Sequence, residues 1–212
     1  SVQCSGMLTV QGAARTLVVA SVLQANTAAA SLAVDGGEVQ LRDVRFEDDA
    51  RQFARLTHVR GVLRDITMVG ARTNSTNGLY IGTGTVALSG GVFTKLNGTA
   101  IHADEAAQVL VRRVRLSQNA TAIRSEGRAE VHVEGNTIDG NAMVFATSGT
   151  APGHRILVYP NMLTGNTAER VPNASIRESA QLDETVVSVF GVPLKEPVNE
   201  TSGTGRRRAG RR

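Results

Sequence analysis

Apolar residues recur along the chain in short groups with a period of about 22 residues. A representative copy reads Val109-x-Val111-x-x-Val114-x-Leu116-x-x-Asn119. Within each group the apolar positions alternate with other residues, which is the period of a β-strand with one buried face. Two residues separate the groups, so a tight corner is expected between two short strands. A unit this small cannot enclose a core alone, and the pattern therefore predicts a solenoid of stacked copies.

Most copies end on Asn or Asp, residues suited to sharp turns. Asn and Asp tolerate the left-handed backbone conformation, so they are expected to form the corners between copies. The copy that closes on Asn97 has one extra residue, which is interpreted as a β-bulge at Gly90-Gly91. The seven closing positions are Asn26, Asp49, Ala71, Asn97, Asn119, Asn141 and Asn166.

A third apolar segment precedes the later copies and completes the repeat. It occupies residues 79–81, 100–101, 121–123 and 143–145. Three short strands and three turns in each repeat predict an all-β fold, a parallel β-helix of about seven coils with three short strands per coil. Neighbouring coils are expected to lie about 4.8 Å apart.

Over residues 17 to 166 the chain resembles the right-handed parallel β-helix class, the pectate-lyase-like superfamily with short single-coil repeats. The resemblance implies a right-handed coil. Similar coils occur in polysaccharide lyases and hydrolases, epimerases, phage tailspikes, viral capsid proteins and adhesins, so it specifies a fold more than a function. The left-handed alternative needs strict six-residue units, and the sequence has none.

The repeat also divides the chain into two regions. Residues 1–190 are predicted to form the β-helix, with the apolar segment 186–189 covering the open end of the stack. Residues 191–212 are predicted to be a disordered basic tail. The polar insertions 71–78 and 147–154 are expected to project as loops. Residues 7–30 loosely resemble a signal peptide, and the alternative interpretation is a poorly formed first repeat.

Charge is concentrated at the C-terminus. The formal net charge is +4, but without the five terminal arginines 18 basic residues face 19 acidic ones. A nearly neutral body does not favour a nucleic-acid groove, so any nucleic-acid contact is expected only through the tail. The tail is interpreted as solvated disorder, as an anion-binding tether or as a processing site. The anion-contacting candidates are Arg206, Arg207, Arg208, Arg211 and Arg212.

Asparagine side chains have two candidate roles. In the proteins that the chain resembles, stacked Asn side chains at one corner form hydrogen bonds along the solenoid axis. The expected ladder is Asn97, Asn119, Asn141 and Asn166, with a shorter pair at Asn136 and Asn161. Five glycosylation sequons are present, and those at Asn97 and Asn119 follow from the repeat itself. The remaining glycosylation candidates, relevant if the chain is secreted, are Asn74, Asn173 and Asn199.

Candidate catalytic residues are sparse. The resemblance implies clustered Asp residues in the hydrolases and an acidic calcium site in the lyases. Glu47, Asp48 and Asp49 form the best local cluster, and Asp48 and Asp49 are its weak catalytic candidates. Residues 136–139 are similar to an Asn-Thr-Asp element of polygalacturonases, but Ile138 is inserted and fits the repeat as a core position.

The spacing of the four histidines does not indicate a metal site. No pair among His58, His102, His132 and His154 has helical or Cys/His metal spacing, so no metal and no cofactor are predicted.

Arg42-Asp43 and Arg64-Asp65 are expected to stack as a small surface charge ladder, with Arg112-Arg113 at the same corner. They are interpreted as solubilising residues or as contacts to an acidic glycan.

The sequence therefore predicts a non-catalytic β-helix scaffold that presents loops in an extracellular, cell-surface or virion setting. Its expected partner is a glycan or another protein surface, and no apolar run is long enough to span a bilayer. One alternative is a fragment of a polysaccharide lyase, hydrolase or epimerase. Another is a viral structural or regulatory β-helix, a homotrimer whose arginine tail contacts nucleic acid.

Overall fold

The computed structural model describes residues 3–5, 8–12, 14–24, 30–47, 51–70, 76–148, 155–170, 175–181 and 190. Every element bounded within these ranges is a β-strand. No helix in the described part of the chain is long and apolar enough to cross a membrane. The strands are β1 (Gln3–Ser5), β2 (Leu8–Gln11), β3 (Arg15–Gln24), β4 (Leu32–Glu47), β5 (Gln52–Val69), β6 (Asn77–Ile81), β7 (Gly84–Thr94), β8 (Thr99–Ala103), β9 (Ala107–Arg112), β10 (Arg115–Ser117), β11 (Thr121–Glu126), β12 (Glu130–Glu134), β13 (Thr137–Asp139), β14 (Met143–Ser148), β15 (Arg155–Val158), β16 (Met162–Thr164), β17 (Ala168–Arg170) and β18 (Ile176–Glu178).

All strand pairs are parallel and fall into three stacks, named sheets A, B and C. Sheet A consists of segments 3–5, 22–24, 45–47, 67–69, 92–94, 115–117, 137–139 and 162–164. Sheet B consists of 15–19, 38–42, 59–64, 84–89, 107–112, 130–134, 155–158 and 176–178. Sheet C consists of 8–11, 32–35, 52–57, 77–81, 99–103, 121–126, 143–148 and 168–170.

Each coil runs from sheet C through sheet B to sheet A. The predicted all-β parallel β-solenoid is confirmed, with about six turns, close to the seven coils predicted. The strands β4 and β5 are longer than predicted, because their pairing continues around the corners and each contributes to all three sheets.

The core is a set of rows in which one coil's inward side chain lies on that of the next. Val86, Val109, Val131 and Ile156 form such a row on sheet B. All four are 0% exposed. Burying a side chain of this size contributes about 1.5–3 kcal/mol, so each row stabilises the contact between coils. Ile138 is equally buried, as its predicted core position requires.

The corners use the left-handed conformation, but on residues other than those predicted. At the corner from sheet A to sheet C positive φ angles belong to Lys95 (59°), Gln118 (56°), Gly140 (63°) and Gly165 (61°). The next residue is an asparagine in the last three cases and Leu96 in the first. The expectation that the closing Asn itself takes the left-handed conformation is therefore wrong for Asn119 and Asn141.

The predicted β-bulge at Gly90-Gly91 is also wrong. Sheet B pairs Ser89 with Arg112, and sheet A pairs Val92 with Arg115, so the register is unbroken across the two glycines. Gly91 stands at an inward position of the repeat, with φ of 105°. A Cβ atom there would lie 2.1 Å from the carbonyl oxygen of Ile66. Only glycine fits this approach, and its missing side chain hides the repeat in the sequence.

One C-terminal residue reaches the outer face of sheet B. Leu110 alternates with inward Val109 and Val111 and therefore points outward. Phe190, which is 5% exposed, packs with Leu110 and Ala87 in a small cluster. The segment 186–189, predicted to cover the end of the stack, and the tail 191–212 lie outside the described residues.

Candidate functional site

A column of amides follows the corner between sheets A and C. The Oδ1 atom of Asn141 accepts hydrogen bonds from the backbone N–H and the side-chain amide of Asn119, at 2.9 and 3.0 Å. Asn166 repeats both contacts toward Asn141, at 2.9 and 3.0 Å. Asn119 and Asn141 are buried, so the column satisfies backbone groups that water does not reach. Its role is structural.

Asn97 is not part of this column. The backbone N–H of Leu96 donates to Asn119 Oδ1 at 3.1 Å, so Leu96 holds the position predicted for Asn97. Leu96 is buried and Asn97 is exposed. The expected place of Asn97 is wrong for the same reason as the bulge. Because Gly91 has no side chain at its inward position, the predicted repeat is displaced by one residue from there to the end of that copy.

A second column lies at the corner between sheets B and A. Asn161 Oδ1 accepts from the backbone N–H and the side-chain amide of Asn136, at 2.8 and 2.9 Å. Asn136 Oδ1 accepts from the N–H of Val114 at 2.9 Å. The predicted pair is thus a hydrogen-bonded pair.

Some of the other predicted site residues are described, and the rest lie outside the described residues. Glu47 is described and forms an ion pair with Arg45. Asp139 pairs with Arg115, whose Nε atom lies 3.2 Å from its Oδ1. The predicted stacking of Arg42 on Arg64 is present in the register. The undescribed candidates are Asp48, Asp49, Asn74, His154, Asn173, Asn199, Arg206, Arg207, Arg208, Arg211 and Arg212.

A polar surface that the sequence did not reveal runs along the outer face of sheet C. Strand pairing aligns Arg55 with Tyr80, Tyr80 with His102, and His102 with Arg124 in consecutive coils. A second row follows the corner toward sheet B. Together these rows form the sheet C strip, which comprises Asp35, Arg55, Thr57, His58, Tyr80, His102, Asp104, Glu105, Arg124, Glu126 and Ser148.

Tyr80 stands at the middle of the sheet C strip. The Arg55 guanidinium lies 5.0 Å from its ring centroid, and the His102 ring meets it edge-on at 5.2 Å. Its hydroxyl donates to Asp104 Oδ2 at 3.1 Å. Burial, followed by the negative charge of Asp104, raises the pKa of Tyr80 to about 12. Tyr80 therefore stays protonated and acts as a fixed hydrogen-bond donor.

His102, Asp104 and Glu126 form the tightest group of ligating atoms on the strip. One ligand atom from each lies within 4.8 Å of the others. His102 Nε2 is 3.2 Å from Glu126 Oε2, and both side chains are about three-quarters buried. Among the described residues this group could hold a metal ion, and the histidine spacing in the sequence gave no sign of it.

The charge of Glu126 is stabilised by its neighbours. Burial raises the pKa of Glu126, but the hydroxyl of Ser148 and the positive charges of His102 and Arg124 outweigh that effect, so the pKa is lowered overall. Ser148 donates to Oε1, and Arg124 Nη1 lies 3.3 Å from the same oxygen. The second oxygen, Oε2, faces His102.

A histidine–carboxylate pair on an earlier coil is much more open. His58 Nδ1 lies 2.8 Å from Asp35 Oδ1, and Thr57 donates to the same oxygen at 3.0 Å. The hydrogen bond to Asp35 raises the pKa of His58, and the same contact lowers the pKa of Asp35. More than half of each side chain is exposed, so the pair is weak.

The third described histidine, His132, belongs to the outer face of sheet B. His132 is 4% exposed and stacks on Tyr159, whose hydroxyl lies 3.0 Å from Nδ1. Its Nε2 lies 2.8 Å from Glu130, and the Phe190 ring meets it edge-on at 6.2 Å. Burial lowers the pKa of His132, against the opposing effect of Glu130. This packing assigns His132 a structural role.

The strip escaped detection in the sequence because its contacts join residues a full coil apart. Asp104 and Glu126 are separated by 22 residues, the length of one repeat, and neither is near the other in the chain. Scanning polar residues at the repeat spacing finds Tyr80, His102 and Arg124 in one row. Only the register shows that this row lies on the outer face.

Comparison of the chain with protein-family models, curated proteins and solved structures finds no match. The fold defines the class: the protein is a parallel β-solenoid with a mixed polar strip on one outer sheet. Membership of the pectate-lyase-like superfamily stays a resemblance in sequence.

Proposed function

We propose that the protein is a non-catalytic β-solenoid scaffold that binds a glycan along the sheet C strip, in an extracellular, cell-surface or virion setting. The observation that carries the proposal is the alignment of Arg55, Tyr80, His102 and Arg124 in four consecutive coils. An extended polymer parallel to the solenoid axis meets one polar side chain at each coil.

The spacing of the row suits a chain of sugar units. Coils about 4.8 Å apart place Arg55 and Arg124 roughly 14 Å from each other, the length of a short oligosaccharide. Guanidinium and imidazole groups donate hydrogen bonds to hydroxyl oxygens. Tyr80 holds Arg55 over its ring and Asp104 at its hydroxyl, so part of the surface is ordered before a ligand binds.

The balance of charge favours a neutral glycan. With its two histidines neutral, the strip has four carboxylates, Asp35, Asp104, Glu105 and Glu126, against the two guanidinium groups of Arg55 and Arg124. A polyuronate would meet this excess of negative charge and be repelled. A neutral polysaccharide carries no such penalty.

The state of Glu126 supports binding over glycoside hydrolysis. A glycosidase keeps one carboxyl group protonated as a general acid, which requires a raised pKa. The pKa of Glu126 is lowered, and one of its oxygens is taken by Ser148 and Arg124. The central carboxylate of the strip is therefore unsuited to that task.

A glycan array followed by titration calorimetry with the best neutral oligosaccharide tests the proposal. The variant Arg55→Ala should weaken binding about tenfold, since one charge-assisted contact is lost. Arg60→Ala is the matched control: Arg60 is also an exposed arginine on β5, but it lies on sheet B.

Two results would overturn the proposal. One is the absence of binding to any neutral glycan on the array. The other is an equal loss of affinity in Arg55→Ala and Arg60→Ala, which would place the ligand elsewhere. Release of reducing ends from a bound glycan, abolished by Glu126→Gln, would instead make the protein an enzyme.

A further inference from the structure

We infer that His102, Asp104 and Glu126 form a binding site for a divalent transition-metal ion, with Zn²⁺ as the ion of choice. The inference does not depend on glycan binding. It follows from the identity of the three ligands, their mutual distances, the groups that hold them and one unsatisfied nitrogen.

Strand geometry brings the three side chains together. His102 and Asp104 flank Ala103, which is fully buried, so both point to the outer face at the end of β8. Glu126 comes from β11 in the next coil, where Ser125 pairs with Ala103. The three ligand atoms lie within 4.8 Å of one another. Zn²⁺ requires metal–ligand distances of roughly 2.0–2.2 Å, so binding draws these three atoms closer together.

The donor set defines the class of metal. One imidazole nitrogen and two carboxylate oxygens suit Zn²⁺, which accepts both types of ligand, whereas Ca²⁺ and Mg²⁺ prefer oxygen alone. Three protein ligands leave at least one coordination position for water or for an oxygen of a bound ligand. Mn²⁺ also accepts carboxylates and is the natural competitor.

Neighbouring residues hold the carboxylates in place, as second partners do in metal sites. Tyr80 donates to Asp104 Oδ2 at 3.1 Å, and the N–H of Glu105 donates to Oδ1 at 2.6 Å. Ser148 donates to Glu126 Oε1. Glu126 Oε2 is left facing His102, where it is available to the ion.

An unsatisfied nitrogen points to a missing partner at this position. His102 Nε2 is shielded from solvent and has no aligned hydrogen bond, although Glu126 Oε2 lies 3.2 Å away. A buried polar atom without a hydrogen bond is energetically unfavourable. A metal ion between His102 and Glu126 would satisfy this nitrogen.

The local charge permits a cation despite Arg124. Its Nη1 atom is 3.3 Å from Glu126 Oε1, so its charge opposes the ion. Asp104, Glu105 and Glu126 supply three negative charges against it. The site therefore keeps a net negative charge, which attracts a divalent ion.

Titration calorimetry of the full chain with Zn²⁺ alone tests the inference. One Zn²⁺ per chain should bind, and His102→Gln and Glu126→Gln should each weaken binding at least tenfold. His58→Gln is the matched control, because His58 pairs with Asp35 on the same strip without a second carboxylate ligand. Circular dichroism confirms that each variant is folded, and Mn²⁺ and Ca²⁺ titrations rank the ions.

Several outcomes overturn the inference. One is the failure of Zn²⁺ to bind at a ratio of one ion per chain. Another is binding to His102→Gln and Glu126→Gln that is as tight as to the unaltered chain. A loss in His58→Gln as large as in His102→Gln would show diffuse histidine binding. Tighter binding of Ca²⁺ than of Zn²⁺ would refute the assigned metal class. Arg55 is outside the ligand set, so a failure of the glycan proposal leaves this test unaffected.

Discussion

Removing the amide of Asn141 should destabilise the solenoid more than any change at Asn97. Asn141 Oδ1 accepts from the N–H of Asn119 at 2.9 Å, and its Nδ2 donates to the carbonyl of Leu116 at 2.9 Å. In Asn141→Ala both backbone groups lose their partners while they stay buried. The side-chain amide of Asn119 keeps its bond to the carbonyl of Phe93, at 3.1 Å, so it is not a further orphan.

The size of the effect follows from these two groups. A buried donor or acceptor without a partner costs about 1–3 kcal/mol, so Asn141→Ala should lower the free energy of unfolding by about 2–6 kcal/mol. That is a large part of the 5–15 kcal/mol or so that stabilises a typical domain. Asn97→Ala should change it by less than about 0.5 kcal/mol, because Asn97 is exposed and outside the column.

Urea unfolding followed by circular dichroism measures both variants. The midpoint of Asn141→Ala should fall with little change in the slope, since the surface exposed on unfolding is nearly the same. A loss in Asn97→Ala equal to that in Asn141→Ala would refute the placement of the column. A loss below about 0.5 kcal/mol in Asn141→Ala would show that water satisfies the two backbone groups.

Two further predictions concern the backbone and pH. Gly91→Ala should lower the free energy of unfolding by more than about 3 kcal/mol, because its Cβ would lie 2.1 Å from the Ile66 carbonyl oxygen. Gly135→Ala should lower it by about 1–2 kcal/mol, because there is open space around Gly135 and only its positive φ is unfavourable. Equal losses by urea unfolding would contradict this prediction. Since burial lowers the pKa of His132, the unfolded state binds more protons below pH about 6.5, so this histidine's contribution to stability is complete above that pH and is lost as pH falls through the window down to the folded pKa. His132→Gln should flatten the decline of the urea midpoint below pH about 6.5. His58→Gln should leave that window nearly unchanged, because the raised pKa of His58 places the loss of its contribution above pH about 6.5. A wild-type slope in His132→Gln would refute the assignment.

The repeat predicted most of the fold because coil stacking imposes a simple rule on the sequence. Inward positions must be apolar in every coil, and rows such as Val109 and Val131 satisfy it visibly. The rule fails at Gly91, where close approach to Ile66 forbids any side chain. Without an apolar residue there, this copy of the repeat has an apparent extra residue, and Asn97 takes the place of Leu96 in the predicted ladder.

The candidate site was harder to predict because it depends on register between coils. Outward positions carry no pattern of hydrophobicity, so Tyr80, His102 and Arg124 look like scattered surface residues. Their alignment appears only when strands are paired. Metal ligands within one strand or helix have a spacing that is visible in the sequence. Glu126 approaches His102 and Asp104 from the next coil, so this group can be found only when the number of residues in each coil is known.

In the proposed function, the sheet C strip binds an extended neutral glycan, and each coil contributes one polar side chain to the contact. Titration calorimetry with neutral oligosaccharides of increasing length tests it most directly. Affinity should rise until the ligand spans roughly 14 Å, the distance covered by the four coils from Arg55 to Arg124, and then level off. In Arg55→Ala the plateau should come at a shorter ligand. Affinity that does not depend on ligand length, or a plateau unchanged in Arg55→Ala, would contradict the account.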